Sequence, residues 1–516
     1  MSMLDSTVTS VALPTIMNVF GVSMTGIQWV TTAYTLSMAV VVPLGPYLSR
    51  VFGAERVFLA ALFVFTICSF LCGVSWSLNT LILFRILQAL GGGIMMPIGM
   101  AMVLALFPPS KRGLAMGVFG VAMTAAPAFG PTLGGYIVDS LGWEYVFYVN
   151  VPIGIIAVMM AFVFFEFAPR QPFPRFDIPG FISSAIGSSF ILYLLGKSES
   201  IDWTDPTYIY MTIVGVGALI FFVANEIVSD NPLLDLRILK YRNYTVSMIL
   251  VIVQQLMMVG VIYTTPIFLQ NFRGLNALQS GQVLLPSSLV MAALMPIAGK
   301  LTDIAGQRGT KWLIGSGVAI SGTFTFILSS KLTLDASIMD IIILNSIRNI
   351  GLGISMMPVM TLGLFSIPVA DAQKATALQR FIQQISASMV IAAVTYSITT
   401  KFNANYAGAV AQLTPSNVPL SDTLRALSGM LVQQGMAAAD ATQQALTLIV
   451  TRIYQENYVL AMQFTIFLTA LVGTCALLLV PFFKVDKRQQ ALNAMPVPAA
   501  HSPAPRRATA EASADR

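Results

Sequence analysis

The chain has 516 residues, of which 56% are hydrophobic and only 10% are charged, and its formal net charge at pH 7 is +6. Soluble domains carry about 25% charged residues, so this composition excludes an ordinary soluble protein and predicts a polytopic membrane protein. The single histidine, His501, lies in a Pro/Ala/Arg-rich tail that we expect to be disordered. No histidine metal site is therefore expected, and because no G-x-x-x-x-G-K-[ST] sequence occurs, no nucleotide or other cofactor is expected either.

Apolar runs along the chain predict fourteen membrane-spanning helices. About 20 apolar residues are needed to cross a hydrocarbon core of about 30 Å, and these runs lack the alternation that is typical of lipid-embedded barrel strands. We therefore expect an all-α fold. The runs begin near Met1, Ile27, Val57, Thr80, Gly113, Glu144, Asp177, Tyr208, Tyr244, Leu278, Lys311, Met339, Ala372 and Asn457.

The distribution of Lys and Arg predicts the orientation in the membrane. These residues concentrate in the loops on the same side as the N-terminus, and such loops are typically cytoplasmic. Because the number of spans is even, both termini are predicted to be cytoplasmic. This bias accounts for the positive net charge, so a nucleic-acid partner is not required.

An internal sequence repeat divides the chain into two halves. The segment from Pro46 to Gly53 is repeated in the segment from Gly299 to Gly306, and "RILQALGGGIMMP" from Arg85 is repeated in "RNIGLGISMMP" from Arg348. Such repeats are typical of transporters whose site lies between two related bundles. We expect a six-helix bundle over 1–170, two additional helices over 171–235, a second bundle over 236–484 with an outer loop at 401–456, and a disordered cytoplasmic tail over 485–516.

Four motifs suggest a known family. They are "LDSTVTSVALP" from Leu4, "RILQALGGGIMMP" from Arg85, "APAFGPTLGG" from Ala126 and "WEYVFYVNVPIG" from Trp143. Together they resemble the major facilitator superfamily, in its fourteen-helix multidrug:proton antiporter branch. The resemblance implies two six-helix bundles plus two central helices in a bacterial cytoplasmic membrane. It also implies that the chain is not an enzyme but exports lipophilic cationic or neutral compounds in exchange for protons.

Asp5 and Arg85 are the candidate proton-coupling residues. Either charge is costly at membrane depth unless it is paired or reached by water. In the resembling family the equivalent arginine is linked to proton movement, and Arg348 is its echo in the second half. Two simpler interpretations stay open: Asp5 caps the first helix, and Arg85 extends to the outer membrane interface.

The fifth span contains the complete G-P-x-x-G-G motif of antiporters, as the resemblance implies, with Gly130, Pro131, Gly134 and Gly135. Small residues allow helices to approach closely, and proline bends a span. We expect a tightly packed gating helix at this position, although ordinary helix packing is an alternative.

The second cytoplasmic connection departs from the family pattern G-x-L-x-D-R-x-G, because Arg50 occupies its aspartate position. In the family this aspartate is thought to hold the inner face closed. The second copy retains the pattern with Gly299, Asp303 and Gly306, and Arg308 is nearby. We predict that Asp303 provides most of the inner-face latch, and that the first copy contributes weakly or through Glu55.

Methionine and glutamine side chains are candidates for the substrate cavity. Thioethers adapt to apolar ligands of different shapes, and amides cost less in a wet pocket than in lipid. Packing within or between helices is the alternative for all of them. The candidates are Met95, Met96, Gln254, Gln255, Met357, Gln383 and Gln384.

Two other functions are compatible with the sequence. One is a specific facilitator for a metabolite such as a sugar, an acid or a siderophore, and the other is a membrane sensor or scaffold that does not transport. The complete antiporter motif and the scarcity of embedded charges disfavour the facilitator. The expected partners are small lipophilic substrates, protons and the lipid bilayer, while a periplasmic adaptor protein stays an open possibility.

Overall fold

The computed structural model describes residues 1–108, 111–165, 167, 176–197, 201, 204–368, 371–411 and 418–483. Within these ranges the chain is helical and contains no strand. The first half contains α1 (Ser2–Phe20), α2 (Met24–Val41), α3 (Leu44–Phe52), α4 (Ala54–Gly73), α5 (Leu78–Leu106), α6 (Arg112–Ser140), α7 (Tyr145–Tyr148) and α8 (Asn150–Phe164). The expected disordered tail and the expected boundary at 170/171 lie outside the described residues.

The remaining helices follow in the same order. They are α9 (Ile178–Gly196), α10 (Pro206–Val228), α11 (Arg242–Arg273), α12 (Ala277–Lys331), α13 (Ile338–Phe365), α14 (Ala372–Ala411), α15 (Val418–Gln433) and α16 (Ala438–Cys475). Short 3₁₀ helices occupy Leu236–Lys240 and Ala476–Phe482.

The described helices are numerous and apolar enough for a polytopic membrane protein. Eleven could each cross a bilayer by length and composition, and the number reaches 13 when two bent pairs count as single spans. The pairs are α2 with α3, bent by 54°, and the two parts of α6, bent by 43°. Helix α1 is not among these 13 spans, because Asp5 and several Ser and Thr residues make it less apolar. When α1 is added to the 13, the number equals the fourteen spans expected from the sequence.

Helix α12 is two spans joined at a single glycine. Its two parts, Leu278–Gly306 and Arg308–Lys331, are each long enough to cross a membrane. At the junction Gly306 has φ 59° and ψ −172°, a conformation that a residue with a Cβ rarely adopts. The glycine of the repeated loop motif is therefore required by the turn between two spans.

The two halves meet along α6 and α12. Helix α12 packs along both α6 and α13, while α4 and α2 pack on α5 within the first half. The additional pair α9 and α10 pack on each other, and α9 also contacts α2 and α14. The pair therefore touches helices of both halves.

The expected outer loop at 401–456 is largely helical. Helix α14 continues to Ala411, α15 follows, and α16 begins at Ala438 rather than near Asn457. At about 1.5 Å per residue, the 40 residues of α14 span roughly 60 Å, about twice the hydrocarbon core. We call residues 401–456 the extension. A search for apolar runs does not detect these helices because the extension contains charged residues, but its many alanines favour helix formation.

Candidate functional site

Asp5 and Arg85 form a fully buried ion pair inside the first half. A guanidinium Nη1 of Arg85 lies 2.5 Å from Asp5 Oδ2, and both side chains are 0% exposed. Helix α1 carries the carboxylate at its fourth residue, and α5 carries the arginine within its first two and a half turns. Asp5 lies in the first turn of α1 but makes no capping hydrogen bond, and Arg85 is fully buried beside it. The role of the pair in proton coupling stays a prediction.

Two amide side chains complete the surroundings of the carboxylate. Asp5 Oδ1 accepts hydrogen bonds from Asn150 Nδ2 at 2.8 Å and from Gln88 Nε2 at 3.1 Å. Gln88 also accepts from Arg85 Nη1 at 2.8 Å and donates to Ser69 Oγ at 2.7 Å. We call Asp5, Arg85, Gln88 and Asn150 the Asp5 network. Its carboxylate receives charge-assisted hydrogen bonds, which are stronger than neutral ones.

An aromatic wall lies beside the guanidinium. The Cζ atom of Arg85 is 4.0 Å from the centroid of the Tyr34 ring and 5.6 Å from that of Phe147. A cation over a ring face is stabilised by the quadrupole of the ring. Arg85 Nη2 and the Tyr34 hydroxyl are buried and have no hydrogen-bond partner among the described residues. The network therefore retains unused hydrogen-bonding capacity next to its charges.

The glycines of the G-P-x-x-G-G motif bring α6 into contact with both α1 and α12. A Cβ atom on Gly130 would overlap the Thr7 side chain, and one on Gly134 would lie 3.2 Å from the backbone of Val8. Pro131 contacts Gly281 of α12, since a Cβ on that glycine would lie 2.8 Å from the proline ring. By contrast, a Cβ on Gly135 would make only ordinary contacts. The motif thus packs α6 directly against the helix that carries Asp5.

Asp303 joins the two halves at the opposite end of α6. Its carboxylate accepts hydrogen bonds from the backbone N–H groups of Gly113 at 2.8 Å and Leu114 at 2.9 Å. These are the second and third residues of α6, where the helix dipole favours a negative charge. We call this the Asp303 contact.

The other residues of the two repeated loops have different surroundings. Gly299 approaches the backbone of Gly113 closely, and Gly306 forms the turn in α12. Arg308 is exposed. In the first-half copy, Arg50 donates to Asn231 Oδ1 at 2.8 Å, while Glu55 Oε2 is buried without a hydrogen-bond partner among the described residues.

A cavity of about 270 Å³ lies between the halves. We call it the central cavity. Four candidates from the sequence line it: Met96, Gln255, Gln383 and Gln384. Three others lie outside its lining: Met95 and Met357 are packed in apolar clusters, and Gln254 donates to Ser355 Oγ at 3.0 Å. Six methionines contribute to the lining, namely Met3, Met38, Met96, Met123, Met258 and Met356.

Sequence reasoning missed an arginine in this cavity. Arg380 of α14 lines it, and the available signal was a charged residue eight positions after the start of a predicted span. Gln88 and Asn150 were also missed as partners of Asp5, although both lie within motifs that had been noticed. Arg348, the echo of Arg85, is buried but does not line the cavity, and it donates to the Met257 carbonyl at 2.9 Å.

Comparison with known proteins assigns the family. The family model described as Major Facilitator Superfamily matches residues 1–391. The chain belongs to the major facilitator superfamily. The members of this superfamily are membrane transporters rather than enzymes, and the many apolar helices agree with a multi-pass membrane protein.

Several curated members of this superfamily are similar to the chain. The uncharacterised MFS-type transporter YhcA of Bacillus subtilis is 37% identical over 406 residues, covering 79% of this chain and 76% of that protein. The lincomycin resistance protein LmrB of Listeria monocytogenes is 30% identical, with coverages of 75% and 81%. The multidrug export protein EmrB of Escherichia coli is 29% identical, with coverages of 86% and 85%. The names of LmrB and EmrB place the chain in the drug-exporter branch of the superfamily.

Solved structures agree on the fold. The proton:xylose symporter XylE superposes with a TM-score of 0.59 at 14% sequence identity, covering 95% of this chain and 96% of that one. A bacterial homologue of the lysosomal transporter Spinster, in an inward-facing conformation, gives a TM-score of 0.53 at 16% identity, with coverages of 93% and 94%. At these identities the similarity concerns the fold alone.

Proposed function

We propose that this superfamily member is a proton-coupled exporter of lipophilic small molecules, working by alternating access between its two halves. The observation that carries the proposal is the buried pair of Asp5 and Arg85, because ionisable residues that pair inside membrane-spanning segments are typical of proton relays. The names of the similar proteins LmrB and EmrB, a lincomycin resistance protein and a multidrug export protein, support drug-like compounds as the exported class.

Protonation of Asp5 would weaken the electrostatic attraction between Asp5 and Arg85 in the Asp5 network. The ionised carboxylate attracts Arg85 strongly in a low-dielectric interior, whereas the neutral acid loses that attraction. Arg85 retains its contact with the Tyr34 ring and its hydrogen bond to Gln88. The two protonation states therefore favour different helix arrangements, which is what a coupled carrier requires.

Helix α6 links the Asp5 network to the contact between the halves. Gly130 packs on Thr7, two residues after Asp5, and Gly113 donates to Asp303 near the start of α6. The two glycines are roughly 25 Å apart along the helix at about 1.5 Å per residue. A movement of α1 against Gly130 is thus transmitted toward the Asp303 contact.

The membrane potential supplies part of the driving force. Moving one proton inward releases about 2.3 kcal/mol per 100 mV, and any pH gradient adds to this. In our proposal the membrane is the bacterial cytoplasmic membrane, both termini are cytoplasmic, and the Asp303 contact closes the cytoplasmic side. The functional units remain the bundles at 1–170 and 236–484 with the helix pair at 171–235 between them.

The proposal is tested in proteoliposomes that contain the purified chain. An imposed pH gradient should drive exchange of several chemically different lipophilic compounds by the wild type. Asp5→Asn keeps the shape and removes the titrating group, so it should lower proton-driven exchange by about tenfold or more. Asp340→Asn, at an exposed position in the first turn of α13, is the matched control and should behave as wild type.

Other outcomes distinguish the alternatives. A narrow metabolite facilitator would exchange one solute only, and a scaffold would show no counterflow with any compound. Full pH-driven exchange by Asp5→Asn would contradict the coupling role of Asp5.

A further inference from the structure

We infer that the central cavity binds organic anions, meaning lipophilic molecules with a carboxylate, phenolate or sulfonate group, and that Arg380 anchors the anionic group. This inference rests on the proposed function, because it takes the central cavity as the substrate site. It differs from the cationic or neutral substrates that the sequence had suggested.

The lining of the central cavity carries a net positive charge. Among the described residues that line it, Arg380 is charged and no Asp, Glu or Lys occurs. The other polar groups are uncharged, chiefly the amides of Gln255, Gln383 and Gln384. A cationic ligand would meet the guanidinium without a compensating carboxylate, whereas an anion would meet an attractive field.

The hydrogen bonds of Arg380 leave its charge unbalanced. Its Nη1 donates to Gln383 Oε1 at 2.9 Å, and its Nη2 lies 2.9 Å from the Met96 sulfur. A thioether sulfur is only a weak acceptor. Among the described residues, the buried Nε atom has no hydrogen-bond partner, and no carboxylate lies within 4.0 Å of Arg380.

Arg85 shows how the same fold treats a buried arginine that is paired. Arg85 has Asp5 at 2.5 Å, while the acceptors around Arg380 among the described residues are one amide oxygen and two thioether sulfurs. Unlike Arg85, Arg380 is only partly buried, and a bound anion would supply the counter-ion that the described residues around it lack. The planar guanidinium also matches a carboxylate or sulfonate through two parallel hydrogen bonds.

The rest of the cavity suits the remainder of such a ligand. Flexible methionine side chains adapt to apolar bodies of different shape, which permits a broad substrate range. Gln384 and Gln255 carry amide N–H groups that can donate to a second anionic oxygen. Charge selection by Arg380 is therefore compatible with low selectivity for the apolar part.

A purely structural role for Arg380 makes a different prediction. Arg380 lies on α14, and its Nη2 is 2.9 Å and 3.8 Å from the sulfur atoms of Met96 and Met123, both in the first half. If these contacts only held the halves together, removing the charge would weaken all ligands equally.

Three probes with the same apolar body separate these possibilities: pyrenebutyrate, its neutral amide, and pyrenebutylammonium. Binding of each to the purified full chain in detergent is measured by fluorescence titration. The variants are Arg380→Gln, which removes the charge, and Arg380→Lys, which retains it. Lys401→Gln is the matched control, because Lys401 lies on the same helix over the Phe464 ring and outside the cavity lining.

We expect the wild type to bind the carboxylate at least about tenfold more tightly than the amide or the ammonium probe. Arg380→Gln should abolish that preference while amide binding changes by less than about threefold, and Arg380→Lys should retain part of it. Equal weakening of all three probes by Arg380→Gln, or a wild-type preference for the ammonium probe, would overturn the inference. Because binding needs no gradient, a failure of proton coupling in proteoliposomes would appear separately.

Discussion

Gly299 of α12 lies against the backbone of Gly113 of α6, so closely that a Cβ atom on Gly299 would overlap the Gly113 carbonyl oxygen. The contact is one turn of helix from Asp303, whose carboxylate bonds to the start of α6. Because neither Gly299 nor Gly113 has a side chain, the backbones of α12 and α6 can approach closely enough for the Asp303 contact to form. The close approach of α12 and α6 depends on the absence of side chains at this point.

We predict that Gly299→Ala shifts the population toward the arrangement in which this end is open. The added methyl group has no space, because its neighbour is backbone and cannot rotate away. Gly315→Ala, in the second span of α12, is the matched control, since a Cβ there would lie 3.9 Å from the nearest atom, in Val480. Distances between spin labels across this end report the populations, and equal distributions in the two variants would contradict the prediction.

Asp303→Asn should lower transport more than Arg50→Asp. The first change keeps the side-chain shape but removes the negative charge at the start of α6, which is worth about 0.3–1 kcal/mol at a helix terminus. The second change removes one hydrogen bond, to Asn231 on the surface. Initial rates of substrate exchange check the order. An inert Asp303→Asn would show that the loop is merely a solvated surface.

Variants of Asp5 and Arg85 should separate the contribution of this ion pair to stability from its contribution to proton coupling. Asp5→Ala leaves the buried guanidinium of Arg85 without its counter-ion and should cost about 3–5 kcal/mol, seen as a clear fall in the Tm of the purified chain. The double variant Asp5→Asn with Arg85→Gln removes both charges and should recover most of that stability. Its proton-driven exchange should nevertheless stay lost. Recovery of exchange in the double variant would remove the pair from the coupling mechanism.

Within the G-P-x-x-G-G motif, the four positions should not be equally sensitive. Gly130→Ala places a methyl group on the Thr7 side chain and should slow exchange strongly, and Gly134→Leu should block the approach to Val8. Gly135→Ala should be tolerated, because its new Cβ would lie 3.6 Å from Leu278. Exchange rates and proton leak of the three variants test this order. A Gly135→Ala variant as impaired as Gly130→Ala would contradict it.

The proposed orientation can be tested by cysteine labelling. In a Cys475→Ala background, Cys68 and Cys72 are buried, so added cysteines dominate the signal. A membrane-impermeant maleimide applied to intact cells should label Asp422→Cys in the extension, whereas Asp230→Cys, after α10, should react only after permeabilisation. The opposite pattern would reverse the proposed topology.

Much of the fold was predictable from the sequence, because apolar runs report membrane spans directly. The motif around Gly130 and the charged residues Asp5 and Arg85 were also visible, since their residue types are unusual inside apolar segments. The pairing of Asp5 with Asn150 was not, because it depends on how α8 begins beside α1. The length of α14 was missed because a helix that leaves the bilayer no longer needs an apolar sequence.

The cavity residues show a different limit of sequence reasoning. Met95 and Met96 are neighbours, yet Met96 lines the central cavity and Met95 packs in an apolar cluster of the first half. Adjacent positions on a helix point about 100° apart, so the residue type alone does not select the one that faces the cavity. Arg380 was overlooked for the same reason, since its importance comes from what surrounds it.

The long helices α14 and α16 also have a practical consequence for imaging. Most of this chain would be hidden in a detergent micelle, where particles have few features to align. In the proposed topology the extension lies outside the micelle, and α14 runs without a break from the cavity residue Arg380 to Ala411. An antibody fragment bound to the last turns of α14, before Ala411, would provide an alignment marker for electron microscopy. Because α14 leads from the extension back to Arg380, the tilt of that marker from particle to particle would record how the cavity helix leans.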